Sequence, residues 1–303
     1  MNVEVDGRVV QVSSLDRVLW PETGTTKAEL LEHYLEVAPL LLPHLVARPV
    51  TLHRFPNGVT GKHFFQTRTP PHPAWVRTVT LSYERTGKTF EAAIVDDLAS
   101  LVWAVNLTTI ELHPFLGHVH ALDRPTAMVL DLDPGLPAGM LQACRVALLL
   151  REELGGPSYV KTSGGKGLHL LVPTSGVTYE DTKGVARQLA RTLTARHPDL
   201  VVDRMTKSLR AGRVLVDWSQ NDAGKSTVAP WSVRGLARPY VSAPLTWDEV
   251  EDVVRTGDPR PLLVEMKDLP QRIADHGDLF APLIPSAATP SQGPVGPSPR
   301  SAR

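Results

Sequence analysis

Apolar positions recur with a helical period in several stretches of the chain, and elsewhere alternate with polar ones or run together. Thr26-Lys27-Ala28-Glu29 has the form of a capping box and opens a helix carrying Leu30, Leu31, Tyr34 and Leu35. The same period predicts helices in LASLVWAVNLTTIEL, in residues 138–154, which Gly155-Gly156-Pro157 stops, and in TKGVARQLARTLTAR. Residues 76–95 alternate instead: Val79, Leu81 and Tyr83, then Phe90, Ala92 and Ile94 about a Thr86-Gly87 turn. That is a hairpin with a charged tip, Glu84 to Lys88. Strands fit residues 127–133, 158–162, 168–172 and 213–218. Helices and strands mix without strict alternation, so the pattern predicts a mixed α/β fold with partly antiparallel sheets flanked by helices. No internal repeat or linker interrupts residues 1–283, which are expected to form one domain. Residues 284–303, rich in Pro, Ser, Gly and Ala, are expected to be a disordered tail.

Two of these strands end in acids. In AMVLDLDPGLPAG a strand alternates faces, so Asp131 and Asp133 point the same way with Cα atoms about 6 to 7 Å apart. Like charges that close repel, and a divalent cation between them is the usual answer. A strand that simply ends at a solvated Asp133-Pro134-Gly135 turn is the other reading, and this stretch alone does not separate the two. RVLVDWSQND is a second apolar strand ending in an acid, Asp217. Alone it would be a cap or surface residue; with Asp131 and Asp133 it supplies the third carboxylate of a two-metal site.

Between these strands lies YVKTSGGKGLHLLVP, a strand, a small-residue turn and a strand carrying His169. Gly164, Gly165 and Gly167 let backbone N–H groups approach a ligand closely, while Ser163 and Lys166 add a hydroxyl and a cation. That set suits a triphosphate. It is not a P-loop, because glycine follows Lys166 and a strand follows the turn. A plain glycine hairpin with an exposed lysine, and a structural histidine, are the alternatives.

The formal charge of the 303 residues is zero, so bulk electrostatics names no partner. Residues 201–240, however, hold seven basic residues against three acids, and residues 241–280 nine acids against four bases. A basic segment of that kind fits a polyanion-binding face. Cys144 is the only cysteine, which excludes an internal disulfide and gives a reducing, cytoplasmic setting as the expectation. No signal pattern opens the chain, and no apolar run approaches the roughly 18 residues of a membrane span, so no membrane partner is expected.

DLD, then SGGKGLH, then VDWSQN resembles the archaeo-eukaryotic primase superfamily, whose motifs are hhDhD, SxGxxGxH and hD. The chain is closer still to the polymerase domain of bacterial ligase D, the end-joining polymerase. DRVLWPETGTTKAEL, RFPNGV, FFQ, MTKSLRAGRVLVDWSQN and WSVRG carry that resemblance over roughly residues 10–280. Arg17 departs from it, standing where lysine is common. No KxDG adenylation motif and no ligase- or nuclease-sized extension is present, so a stand-alone polymerase is expected.

The resemblance implies a primase-polymerase catalytic core in which Asp131, Asp133 and Asp217 hold two divalent ions, manganese commonly and magnesium as the alternative. It implies that Ser163, Gly165, Lys166 and His169, with Arg234 in WSVRG and His113 in ELHP, surround the incoming NTP or dNTP. Phe64 and Phe65 match an aromatic pair that stacks on template bases. Arg17 and Lys27 match residues that grip a downstream 5′-phosphate, and Lys207 and Arg210 lie in a mobile loop that seats the primer end. The implied function is templated nucleotide addition, with ribonucleotides preferred, at gaps and broken DNA ends, beside a separate DNA ligase and an end-binding protein. A primase starting chains de novo and a catalytically silent DNA-end scaffold are the competing functions. The three retained acids argue against the scaffold.

Overall fold

A computed structural model of the chain describes residues 1–82 and 86–284. The expected tail from residue 285 onward and Glu84 and Arg85 of the hairpin tip lie outside the described residues. Six helices are present among those described: α1 (Lys27–Leu45), α2 (Leu98–Asn106), α3 (Met140–Leu154), α4 (Tyr179–Arg196), α5 (Trp247–Thr256) and α6 (Leu269–His276). The capping box opens α1: Thr26 Oγ1 accepts from Glu29 N–H at 3.3 Å, and Glu29 Oε2 accepts from Thr26 N–H at 2.7 Å. Leu30 and Tyr34 of that helix are buried as expected, whereas Leu35 faces solvent. Gly155 stops α3 in the left-handed region that favours glycine.

One expectation fails. The apolar stretch predicted as a helix through residue 112 breaks after Asn106, and Thr109–Pro114 is a strand pairing with Pro49–Arg54. Every residue of α2 from Ala99 to Val105 is buried, so its apolar run has no polar face whose phase could mark the end. The β-branched Thr108-Thr109-Ile110 and a partner strand decide the rest.

Two sheets position the site. The first is antiparallel, ordered Phe64–Gln66, Pro49–Arg54, Thr89–Ile94 and Thr78–Ser82, with Thr109–Pro114 also paired to Pro49–Arg54. Its core takes residues from α1 and α2, and from late in the chain Trp231, Val233, Val241 and Val264. The second has the order Val201–Val202, Val214–Asp217, Ala127–Pro134, Leu168–Pro173, Tyr159–Thr162 and Pro244–Leu245, and only its first pairing is parallel. Met128, Leu130 and Leu132 share a core with residues of α3, α4 and α5. The alternation of a strand then commits Asp131 and Asp133 to the opposite face. No helix among the described residues is long and apolar enough to cross a membrane.

Candidate active site

Register lines up the chemistry. Asp217 pairs with Asp131 on the neighbouring strand, Asp131 pairs with His169 on its other side, and His169 pairs with Lys161 beyond. Directly opposed residues share a face, so these four form one row across four strands, with Asp133 beside it. Like charges at opposed positions destabilise a sheet unless a cation compensates them. His169 Nε2 lies 3.4 Å from Asp131 Oδ1. Burial acts to raise the Asp131 pKa, yet the charges of His169, Lys161 and Arg234 and the His169 hydrogen bond outweigh it and hold the carboxyl below its usual range. Asp217 is buried and accepts from Ser219 N–H at 2.8 Å.

Lys161 was not among the residues singled out from the sequence. It is 0% exposed, with Nζ donating to Ser242 Oγ at 2.6 Å and lying 3.0 Å from His169 Nδ1. Ser242 spends its own hydrogen on Thr162 O at 2.9 Å, so it can only accept from Lys161. A lysine donating to Nδ1 leaves the His169 hydrogen on Nε2, facing Asp131. Burial, then the Arg234 charge, push the Lys161 pKa well below its ordinary value.

The glycine turn follows. Ser163 N–H donates to Gly167 O at 2.9 Å, closing residues 163–167 into a tight loop. Gly164 has φ +81°, and a methyl group there would sit 2.0 Å from Arg234 Cγ. Glycine is therefore required both by the backbone and by the arginine lying across the turn. Gly167 is as constrained, since a Cβ would come within 2.3 Å of Leu132 O. Lys166 Nζ donates to Pro134 O at 2.7 Å and lies 3.8 Å from Asp133 Oδ1. The other side of Asp133 is taken by Arg210, whose guanidinium donates directly to its carboxylate. Lys207, in the same loop, is exposed.

The cleft is closed from the first sheet. Glu111 Oε2 receives His113 Nε2 at 2.8 Å, approaches His53 Nδ1 at 3.0 Å and lies 3.3 Å from Arg234 Nη1. Glu111 Oε1 accepts from Gly235 N–H at 2.9 Å. Burial lowers the His113 pKa to about 4, leaving the ring neutral at neutral pH. Ligand atoms of His53, Glu111 and His113 lie within 4.8 Å of one another and could hold a metal ion. The Phe65 ring stacks on His53 with centroids 3.8 Å apart, and both Phe64 and Phe65 are exposed, at 44% and 60%. The resemblance implies such a surface pair, whereas two adjacent aromatics by themselves would place at least one in the core. Sequence pattern alone points to neither His53 nor Glu111: ELHP holds the signal, but the apolar period through Leu112 predicts a helix there.

The start of α1 holds a separate cationic site. Lys27 is only 2% exposed, with Nζ donating to Ser13 O and to Asn106 Oδ1, each at 2.7 Å. Desolvation, then the charge of Arg17, lowers its pKa to about 8. Arg17 is exposed and donates to Pro56 O at 2.6 Å. Among the described residues neither cation has an acid in ion-pair range. Burial against residues distant in sequence, rather than solvation, holds this first-turn lysine in place.

Opposed aspartates beside a glycine turn, on a mixed α/β frame, are the arrangement that the primase-polymerase resemblance implies. The family model described as LigD, primase-polymerase domain, matches residues 26–280. The multifunctional non-homologous end joining protein LigD of Mycolicibacterium smegmatis is 38% identical over 281 residues, covering 90% of this chain and 36% of that protein. The bifunctional protein of the same name in Bacillus subtilis is 33% identical over 278 residues, covering 89% and 43%. Among solved structures, the polymerase domain of Mycobacterium tuberculosis ligase D in complex with DNA matches with a TM-score of 0.81 and 36% identity, covering 90% of this chain and 97% of that one. The chain belongs to the ligase D primase-polymerase domain family. It spans 36% and 43% of the length of these two curated relatives.

Proposed function

We propose that this chain adds nucleotides to primer 3′-ends at gaps and broken ends of DNA in non-homologous end joining, with ribonucleotides preferred. The observation that carries this is the register that sets Asp217 opposite Asp131, beside a glycine turn crossed by Arg234. Asp131 and Asp217 stand opposite each other, with Asp133 two residues along the same strand, and carboxylate oxygens are the hard donors that magnesium and manganese take. Asp131, Asp133 and Asp217 would hold two such ions. When bound, these supply a more acidic primer 3′-hydroxyl and charge neutralisation at the leaving pyrophosphate.

The remaining work falls to the chain's own groups. Ser163, Gly165 and Lys166 receive the triphosphate on the turn, and Arg234 adds a cation from the opposite side. His169, oriented by Lys161, presents Nε2–H toward the same space. His113 lies beside the incoming nucleotide, and Phe64 and Phe65 give the template bases a stacking platform. The DNA named with the Mycobacterium tuberculosis domain supports DNA as the partner. A separate DNA ligase and an end-binding protein are the proposed partners.

The test is extension of a gapped, 5′-phosphorylated duplex with each NTP and each dNTP, in magnesium and in manganese. Templated addition with NTPs outpacing dNTPs is expected, and no addition in either metal overturns the proposal. Arg210 gives a narrower prediction. Its guanidinium occupies the carboxylate of Asp133, so the loop must shift when that acid takes an ion. Arg210→Ala should slow extension of gapped substrate about fivefold and change plain-duplex affinity by less than about twofold. Equal losses in the two assays would make Arg210 a general phosphate contact.

A further inference from the structure

We propose that Glu111 is a positioning residue: one buried carboxylate that sets His113 and Arg234 against the incoming nucleotide and ties them, through His53, to the template-side ring of Phe65. The inference rests on the proposed nucleotide pocket and adds to it a residue that touches no substrate.

Glu111 lies on Thr109–Pro114 and is 3% exposed, out of reach of a nucleotide. Its two oxygens are nonetheless fully engaged. Oε2 faces His113, His53 and Arg234 at 2.8, 3.0 and 3.3 Å, and Oε1 takes Gly235 N–H at 2.9 Å. Gly235 follows Arg234 directly, so the carboxylate grips that segment by backbone and by side chain. The segment has no slack, because a Cβ on Gly235 would sit 2.0 Å from Phe55 Cζ. Arg234 in turn lies across Gly164 of the turn. A displacement at Glu111 is therefore passed to the phosphate-binding loop through an arginine that cannot rotate away freely.

On its other flank the network leaves the pocket. His53 Nε2 is 2.9 Å from His63 Nδ1, and the His53 ring lies nearly parallel to Phe65, at 17° and 3.8 Å. Phe65 also meets His113 edge-on at 5.2 Å. A base stacking on Phe65 thus presses on the same histidines that the carboxylate holds. Burial would raise the Glu111 pKa, but the His113 hydrogen bond, the close His53 nitrogen and the Arg234 charge more than offset it, so the group stays ionised. A resident metal on His53, Glu111 and His113 is the competing use of these atoms. The arginine beside the shared oxygen already supplies the compensating charge, and it would repel a second cation.

The test is steady-state extension of a gapped duplex by wild type, Glu111→Gln, His113→Ala, Arg234→Ala and the combined variants. Glutamine keeps the shape and an acceptor for Gly235 N–H, but it removes the charge and turns an NH2 toward His113, His53 and Arg234. The expected result is a rise in KM for the incoming nucleotide of about fivefold with kcat nearly kept, at an unchanged DNA affinity and with a single cooperative melting transition. In the His113→Ala, Arg234→Ala background the same change should raise the nucleotide KM no further, because the carboxylate reaches the incoming nucleotide only through those two. A wild-type KM in a Glu111→Gln protein that melts cooperatively overturns the inference, as does an undiminished cost in the double background. If the glutamine variant does not fold, Glu111→Asp decides in the same way, with a raised KM expected. Tightly bound zinc in the purified chain, lost with Glu111→Gln, also overturns it. If His113→Ala and Arg234→Ala leave KM unchanged, the nucleotide pocket itself is wrong, which is a different failure.

Discussion

Replacing Asp131 or Asp217 by asparagine is expected to abolish nucleotide addition, by roughly a thousandfold or more, while DNA affinity stays the same or rises. The size follows from the proposed role: two ions held by these acids would supply several kcal/mol of transition-state stabilisation, and each 1.36 kcal/mol is about tenfold in rate. Asparagine is the informative substitution because it keeps the side-chain oxygen that accepts from Ser219 N–H at 2.8 Å, which alanine would lose together with the charge. The fold should tolerate it, since removing one of two opposed carboxylates relieves repulsion in the sheet. Removing negative charge cannot weaken a complex with a polyanion through electrostatics. The measurement pairs primer extension in manganese with a binding titration on the same gapped duplex. Extension at the wild-type rate by either variant would remove that acid from the metal site, and a matched loss of binding and extension would turn the row of acids into a structural element.

Part of this row was legible beforehand. Period-two alternation places Asp131 and Asp133 on one face without any knowledge of the fold. A turn of five residues from Ser163 to Gly167 also fixes, by counting, that Lys161 stands opposite His169. The pairing of Asp217 with Asp131 was not legible. Some eighty residues separate them, and a strand can slide two positions without changing which side chains face the core. Glu111 was hidden for another reason. The helical period through residue 112 is an accident of a buried helix running almost directly into a buried strand, and a helix there leaves nothing to tie Glu111 to Arg234. Long-range pairing of Thr109–Pro114 with Pro49–Arg54 carries the information that periodicity lacked.

Lys27 combines both cases, and it bears the last expectation. The capping box marked it as a first-turn residue, where its charge opposes the helix dipole. What sequence could not show is that its stem is buried and its ammonium fixed between Ser13 O and Asn106 Oδ1, both neutral acceptors. A buried cation with only neutral partners, next to Arg17 and at a helix N-terminus, is an arrangement that an anion would complete. A downstream 5′-phosphate is therefore expected to tighten binding of a gapped duplex, and Lys27→Ala should remove most of that gain, roughly tenfold to a hundredfold for a charge-assisted contact. The pH dependence has a definite sign. The phosphate binds the protonated lysine, whose pKa in the free protein is about 8 and must rise when the anion arrives. Below that value the proton is already in place and the gain is full. Above it, binding must take up a proton, and the gain should shrink by up to about tenfold per pH unit until the bound-state pKa is passed. A phosphate monoester, with its second pKa near about 6, keeps its charge over this range. The measurement is a titration of wild type and Lys27→Ala against the same gapped duplex with and without the 5′-phosphate, from about pH 7 to 9. An equal response to phosphate in both proteins, or a gain in wild type that is flat across that range, would place the phosphate elsewhere and leave Lys27 as a buried structural cation.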